Sequence, residues 1–344
     1  MSIIKEVEGR KILDSRGMAT VEVKIRTDDG LMAIDSVPSG TSAGTQEAVP
    51  LQPEQAIKNI NQIIAPKLVG RDPQNQSEID QLMIALDGTP NKAKLGANAI
   101  LAVSLATARV GALAAKMPLF WHLNKLFAKI SGSQIEPAIP EPMMVVICGG
   151  KHGQNHLCIQ EFLVIGQMEK GQKIWHQTEK ILKKRKIKYS LGLEGAFSPD
   201  LNYDEDALEI ILTAIEEAKL QVGQDIRLGL DIAGDNCQMS NEEILSLFNR
   251  YPLYSVEDPF AENQWEKFGQ LKLELEEAGR EFLLIGDDLF ATHKSLLQKG
   301  INNLVANGII IKANQVGTVY EALEVVGVAK KANYKCIVSH RSGE

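Results

Sequence analysis

Apolar and polar residues alternate along the first part of the chain and then give way to helical spacing. Residues 2–37 alternate in the manner of strands, and the turn signal at 28–30 predicts a hairpin. Apolar residues three and four positions apart over 56–64 predict an amphipathic helix, and 96–115 is apolar on nearly every side, as in a buried helix. Residues 1–125 are therefore predicted to form an α+β domain.

The remainder of the chain, residues 126–344, carries eight short apolar runs separated by segments with helical spacing. The runs are 143–148, 158–164, 189–193, 226–232, 253–256, 282–285, 308–311 and 335–338. Strands that alternate with helices form parallel β/α units, and eight such units form a barrel. We therefore predict a β/α barrel, with a generic α/β scaffold as the alternative.

Charged or polar residues follow nearly every run, which favours an enzyme over a scaffold. They are His152, Glu161, Glu194, Asp231, Glu257, Asp287, Lys312 and the pair His340-Arg341. A scaffold would end its strands in ordinary turn residues. In a barrel the carboxyl ends of the strands meet at one mouth, so these groups are predicted to face one another there.

Three of these acids predict a metal site. Asp231, Glu257 and Asp287 end successive runs, so without a cation they would repel one another and raise their own pKa values. A hard divalent cation relieves this repulsion, and ligands that are all oxygen favour Mg²⁺ over Zn²⁺. The alternative for each acid alone is a helix cap, but three at successive strand ends favour the metal.

Lys312 and Glu194 are candidates for a base and an acid. Lys312 follows a buried-type run, and metal ions nearby could lower its pKa enough for it to act as a general base. A salt bridge to one of the carboxylates is the alternative. Glu194 is predicted across the barrel from Lys312, an arrangement that suits removal of a proton next to a carboxylate. Arg341 and Ser342 offer donors for an anionic group. A lone His152 or His340 is more often structural.

Composition excludes several classes of protein. The net charge of −7 does not suit nonspecific binding to nucleic acid, and the basic run 183–186 is best explained as a solvated helix face. The first residues lack the pattern of a signal peptide, and no run of about 18 apolar residues is evident, so a cytoplasmic location without a membrane span is expected. Four scattered cysteines are expected to be reduced thiols.

Eight stretches, in order along the chain, resemble motifs of the enolase family. They read ILDSRG at 12–17, LGANAILAVSLA at 95–106, GGKH at 149–152, QEF at 160–162, VEDP at 256–259, GDDL at 286–289, KANQ at 312–315 and SHRSGE at 339–344. The resemblance implies an enolase-type β/α barrel preceded by an α+β domain. It also implies the dehydration of 2-phosphoglycerate to phosphoenolpyruvate with two Mg²⁺ ions in the active site.

The resemblance further implies a role for each site residue. Asp231, Glu257 and Asp287 would hold the tighter Mg²⁺, and Ser42 would help to hold the second as its loop closes. Lys312 would remove the C2 proton of the substrate.

The remaining roles concern the leaving group and the substrate. Glu194 would protonate the departing C3 hydroxyl with the assistance of Glu161. Those that would hold the substrate or line its pocket are Gln160, Arg341, Ser342, His152 and His340. A homodimer or a higher homo-oligomer is implied by the family as well.

The chain departs from the family pattern at two places that bear on activity. Leu193 stands before the acid where the family usually has Asp, and the sequence ends at Glu344. In the family a closing helix and a segment with a second active-site lysine follow that point. We therefore expect a barrel without these parts, and the alternative function is a catalytically impaired enolase-like protein that retains metal or partner binding.

Overall fold

A computed structural model describes residues 2–38, 46–192 and 194–341. The chain divides into two compact units. The first comprises Met1–Ala138, Phe290–Gln298 and Ile309–Glu344, and the second comprises Ile139–Leu289 and Lys299–Gly308.

The first unit contains an antiparallel sheet that begins the chain. Its strands are β1 (Ile4–Leu13), β2 (Ala19–Thr27) and β3 (Met32–Ser36), in the order β1-β2-β3. The hairpin predicted at 28–30 is confirmed: the Thr27 N–H donates to the carbonyl of Leu31 at 2.9 Å, and Gly30 has a φ of 89°. This left-handed conformation costs glycine little, because glycine has no Cβ.

Helices follow this sheet along the chain. They are α1 (Pro53–Asn59), a π-helical turn (Ile60–Ile64), α2 (Ala65–Leu68), α3 (Gln76–Asp87), α4 (Ala97–Ala114) and α5 (Leu119–Ser131). The last elements of the chain are α10 (Lys294–Asn302), β11 (Gly308–Ile311), α11 (Ala313–Val316), α12 (Val319–Lys331) and β12 (Lys335–Val338).

Helix α4 is the centre of the first core and confirms the predicted buried helix. Ile100, Leu101 and Val103 are fully buried and belong to the same cluster as Val21 and Val23 of β2. By length and composition α4 could cross a membrane, which the expectation of no such stretch overlooked. Many of its residues are alanines, which are apolar but small, so the length of the apolar stretch is easy to overlook in the sequence. Because 72% of the helix is buried inside the protein, it has the character of a core helix.

The second unit alternates strands with helices. In chain order these are β4 (Met143–Cys148), β5 (Glu161–Gly166), α6 (Met168–Lys184), β6 (Tyr189–Leu191), β7 (Phe197–Pro199), α7 (Asp204–Glu217), β8 (Ile226–Asp231), α8 (Asn241–Arg250), β9 (Leu253–Glu257), α9 (Trp265–Glu277) and β10 (Leu283–Gly286). Its strands follow the order β10-β9-β8-β5-β4-β7-β6. All eight predicted runs therefore contain strands, and β7 is an additional one that pairs with β6.

Strand β5 runs antiparallel to both of its neighbours, so the prediction of parallel units throughout was wrong. Glu161 pairs with Cys148 of β4 and with Asp231 of β8. A parallel neighbour needs a long crossover, usually a helix, to carry the chain back to the other end of the sheet. The segment 149–160 consists of turns and bends, so the chain returns directly in the opposite direction.

The expectation of four reduced thiols was also wrong. Cys158 and Cys237 form a disulfide whose Cα atoms lie 5.3 Å apart, whereas Cys148 and Cys336 are thiols. The bonded pair is separated by 79 positions in sequence, so no local spacing marks it. Cys158 is exposed and Cys237 is buried.

Candidate active site

The reversed direction of β5 brings three acids to one edge of the sheet. Glu161 begins β5, whereas Asp231 ends β8 and Glu257 ends β9. The ladder pairs Glu161 with Asp231 and Asp231 with Glu257. An antiparallel strand presents its first residue where its neighbours present their last, so these carboxylates share an edge despite their different positions within the strands.

Asp287 continues this row on the next strand. Ile285 of β10 pairs with Glu257, and Asp287 follows two residues later. The three predicted metal ligands therefore lie at the ends of the neighbouring strands β8, β9 and β10. Their donor atoms are all carboxylate oxygens, which is the chemistry that Mg²⁺ prefers, so these residues fit that ion.

Asp231 is oriented by the residues around it. Its Oδ2 accepts from the Gln160 side-chain amide at 2.9 Å, and its Oδ1 accepts from the Ala233 N–H at 2.9 Å. The Gln160 N–H also donates to the Asp231 carbonyl at 3.0 Å. Asp231 is buried, so these contacts fix the carboxylate at the sheet edge. Gln160, predicted to hold the substrate, thus contacts one of the predicted metal ligands.

Asp258 stands beside Glu257 at this edge, where the sequence shows a pair of acids but gives Asp258 no role. The carboxylate oxygens of Asp258, Asp287 and Asp288 lie within 4.8 Å of one another. Burial, followed by the negative charges of Asp287 and Asp288, raises the pKa of Asp258 well above its usual range. Two acids before a proline are visible in the sequence, but only Glu257, at the strand end, was among the predicted ligands.

His152, Glu161 and Glu194 form a second cluster. Their ligand atoms all lie within 4.8 Å of one another, and His152 Nδ1 lies 2.9 Å from Glu161 Oε1. Burial raises the pKa of Glu161, while the hydrogen bond with His152 opposes that rise. The same hydrogen bond raises the pKa of His152. These three groups can therefore hold and pass a proton.

The loop before β5 is shaped to present this cluster. The Gly149 N–H donates to the Gln160 carbonyl at 2.9 Å, and a Cβ at Gly149 would lie 2.5 Å from the carbonyl oxygen of Ile159. Asp204 Oδ1 accepts from the N–H groups of Cys158 and Ile159 at 3.0 and 3.1 Å. The close backbone approach excludes any side chain at Gly149, which explains a glycine there.

Glu194, a member of this cluster, and Cys148, which lies beside it, differ in exposure and chemistry. Glu194 is exposed in the turn between β6 and β7. Cys148 is buried and ends β4, and burial raises the pKa of its thiol to about 11. A thiol with that pKa is protonated at neutral pH, so Cys148 is not suited to act as a nucleophile.

The other predicted site residues lie in the first unit or outside the described residues. Lys312 directly follows β11, and its N–H donates to Thr292 Oγ1 at 2.9 Å. His340 is exposed and Arg341 is half-buried after β12. Those outside the described residues are Ser42, Ser342 and Leu193.

Two sequence families match this chain. Residues 4–123 match the Enolase, N-terminal domain, and residues 136–247 and 235–344 match the Enolase, C-terminal TIM barrel domain. Together the matches cover well over half of the 344 residues. They confirm the resemblance and the fold class predicted from the sequence motifs.

Proposed function

The chain belongs to the enolase family, and on that premise we propose that it is a Mg²⁺-dependent lyase that interconverts 2-phosphoglycerate and phosphoenolpyruvate in glycolysis. The observation that carries this proposal is the convergence of His152, Glu161 and Glu194 in one cluster. A proton-handling cluster in the same unit as a row of carboxylates is what a dehydration next to a carboxylate requires.

The carboxylates Asp231, Glu257 and Asp287 would hold the first Mg²⁺, and Ser42 would contribute to a second. When bound, these ions supply positive charge that stabilises the negative charge on the substrate. The protein's own contribution is to fix the carboxylates at neighbouring strand ends and to orient Asp231 through Gln160 and Ala233. Carboxylates that are held in place by neighbouring donors bind a cation without first being reorganised.

The proposed reaction breaks two bonds of the substrate. Lys312 accepts the proton from C2, and the electron pair of the C–H bond forms the new double bond. Glu194 donates a proton to the hydroxyl at C3, which leaves as water. Glu161, which is hydrogen-bonded to His152 at 2.9 Å, would assist Glu194 in this step. The other residues proposed to hold the substrate or line the pocket are Gln160, Arg341, Ser342 and His340.

Location and assembly are also proposals. The family favours a homodimer or a larger homo-oligomer. We propose a cytoplasmic location because the proposed reaction belongs to glycolysis. The disulfide between Cys158 and Cys237 is an observation against that location, since disulfides are rare in reducing compartments.

The test measures phosphoenolpyruvate formation by ultraviolet absorbance, with and without Mg²⁺, for the wild type and two lysine variants. We expect Mg²⁺-dependent turnover that falls by several orders of magnitude in Lys312→Ala. Lys294→Ala is the matched control, because Lys294 is exposed and pairs with Glu324 on the surface. Folded protein that binds Mg²⁺ without any turnover would instead support an impaired enolase-like protein.

A further inference from the structure

Asp258 has an unusual backbone conformation at the end of strand β9. It directly follows Glu257 at the end of β9, its φ is 36°, and its relative exposure is 4%. Aspartate enters this left-handed region more readily than most residues, but the conformation still costs free energy. Contacts around Asp258 must therefore compensate for that cost.

The backbone of Asp258 connects strand β10 with the loops that follow β8 and β9. Its N–H donates to the carbonyl of Ile285 on β10 at 3.0 Å. Its carbonyl accepts from the N–H of Gly234, in the loop after β8, at 2.9 Å. Asp258 therefore connects the ends of the strands that carry Asp231, Glu257 and Asp287.

The side chain of Asp258 fixes the turn that carries Asp287. Oδ1 accepts from the Asp287 N–H at 3.1 Å, and Oδ2 accepts from the Asp288 N–H at 2.7 Å. Each of the two oxygens thus holds a backbone N–H group of this turn. A carboxylate suits this task, since an amide would retain one acceptor and turn an NH₂ group towards the second N–H.

We infer that Asp258 is a positioning residue that orients Asp287 for metal binding by holding the backbone of Asp287 and Asp288. This inference rests on the proposed function, because it assumes that Asp231, Glu257 and Asp287 hold Mg²⁺. Groups that orient a metal ligand typically change metal affinity 10- to 100-fold when they are replaced.

The test is the dissociation constant of Mg²⁺, measured by isothermal titration calorimetry on the full chain. Asp258→Asn is expected to weaken binding about tenfold or more. Asp225→Asn is the matched control, since Asp225 also accepts a backbone N–H, from Gln221 at 3.0 Å, but in a turn before β8. Circular dichroism verifies folding, and Asp258→Ser replaces Asp258→Asn if the latter does not fold.

A second arm separates positioning from direct coordination. In an Asp287→Ala background, Asp258→Asn is expected to cause little further loss, because there is no longer a side chain to orient. An equally large loss in that background, or an Asp258→Asn affinity within twofold of the wild type, overturns the inference. A wild type that binds no Mg²⁺ rejects the proposed function itself, so the two failures are distinguishable.

Discussion

The Nδ1 atom of His152 lies 2.9 Å from Oε1 of Glu161, and Glu161 stabilises the proton on His152. The hydrogen bond with Glu161 is the largest cause that raises the pKa of His152. Glu161→Gln keeps the shape of the side chain but removes its charge. We therefore expect the pKa of His152 to fall in this variant, as followed by NMR titration of the imidazole.

A second histidine provides an internal reference for this titration. His122 lies in α5, where burial already lowers its pKa. It should titrate identically in the wild type and in Glu161→Gln. An unchanged His152 titration would show that Glu161 does not control the proton on His152.

Asp80 is expected to make stability depend on pH. It is fully buried in α3, accepts from the Gln76 side chain and from the Tyr320 N–H, and burial raises its pKa to about 6. In the unfolded chain its pKa is near 3.8. Ionisation of Asp80 therefore lowers the free energy of unfolding. This loss of stability is absent below about pH 4, grows as the pH rises to 6, and reaches on the order of 3 kcal/mol above that.

Asp80→Asn removes this titration. The stability of the wild type relative to Asp80→Asn should decrease as the pH rises from about 4 to 6. Urea unfolding at several pH values measures it. Thr213→Ala is the control, because the Thr213 hydroxyl donates to the backbone carbonyl of Glu209, and it should shift stability by the same amount across that range. If the difference in the free energy of unfolding between the wild type and Asp80→Asn does not change with pH, then ionising Asp80 in the folded protein costs little free energy.

Two helical glycines should respond oppositely to alanine. A Cβ at Gly111 in α4 would lie 2.6 Å from the carbonyl oxygen of Pro73, so Gly111→Ala must displace backbone and should lower the melting temperature. At Gly269 in α9 the nearest atoms lie 3.8 Å away or further, so Gly269→Ala should raise stability by about 0.5–1 kcal/mol through helix propensity. Thermal unfolding of both variants compares them directly, and a stabilised Gly111→Ala would contradict the packing.

The disulfide should contribute several kcal/mol to stability. It links residues 79 positions apart, and the chain-entropy estimate for a loop of that length is about 4.5 kcal/mol. The double variant Cys158→Ser/Cys237→Ser, or reduction by dithiothreitol, should lower the urea midpoint accordingly. Cys336→Ser is the control, since Cys336 is a thiol. An unfolding curve that is insensitive to dithiothreitol would show that the bond does not form or does not stabilise.

The sequence patterns predicted the positions of the strands along the chain better than the direction of each strand in the sheet or the strands with which it pairs. Apolar runs predicted β4, β8 and β11 because burial leaves a local record in the sequence. The direction of β5 depends on whether the preceding loop contains a crossover helix, which apolar spacing alone did not reveal. The short strand β7, Phe197–Pro199, was not among the predicted runs.

The sequence named candidate residues for the site but not the contacts that support them. Charged residues at the ends of apolar runs are enough to identify Glu161 and Asp231 as candidates. Asp258 was visible as an acid at a strand end but received no role, because its contacts are with two backbone N–H groups roughly 30 positions later in sequence. The pairing of Cys158 with Cys237 is equally nonlocal. Such contacts depend on tertiary structure, so no local pattern records them.

The antiparallel course of β5 also bears on how the two halves of the site form during folding. His152 and Glu161 are nine positions apart, whereas Gln160 and Asp231 are 71 positions apart. Loop-closure entropy grows with the logarithm of that separation, so the longer contact costs about 2 kcal/mol more before any neighbouring contact forms. The contact between His152 and Glu161 is local in sequence and should form early, whereas the metal-binding half should assemble only when β8, β9 and β10 have joined the sheet.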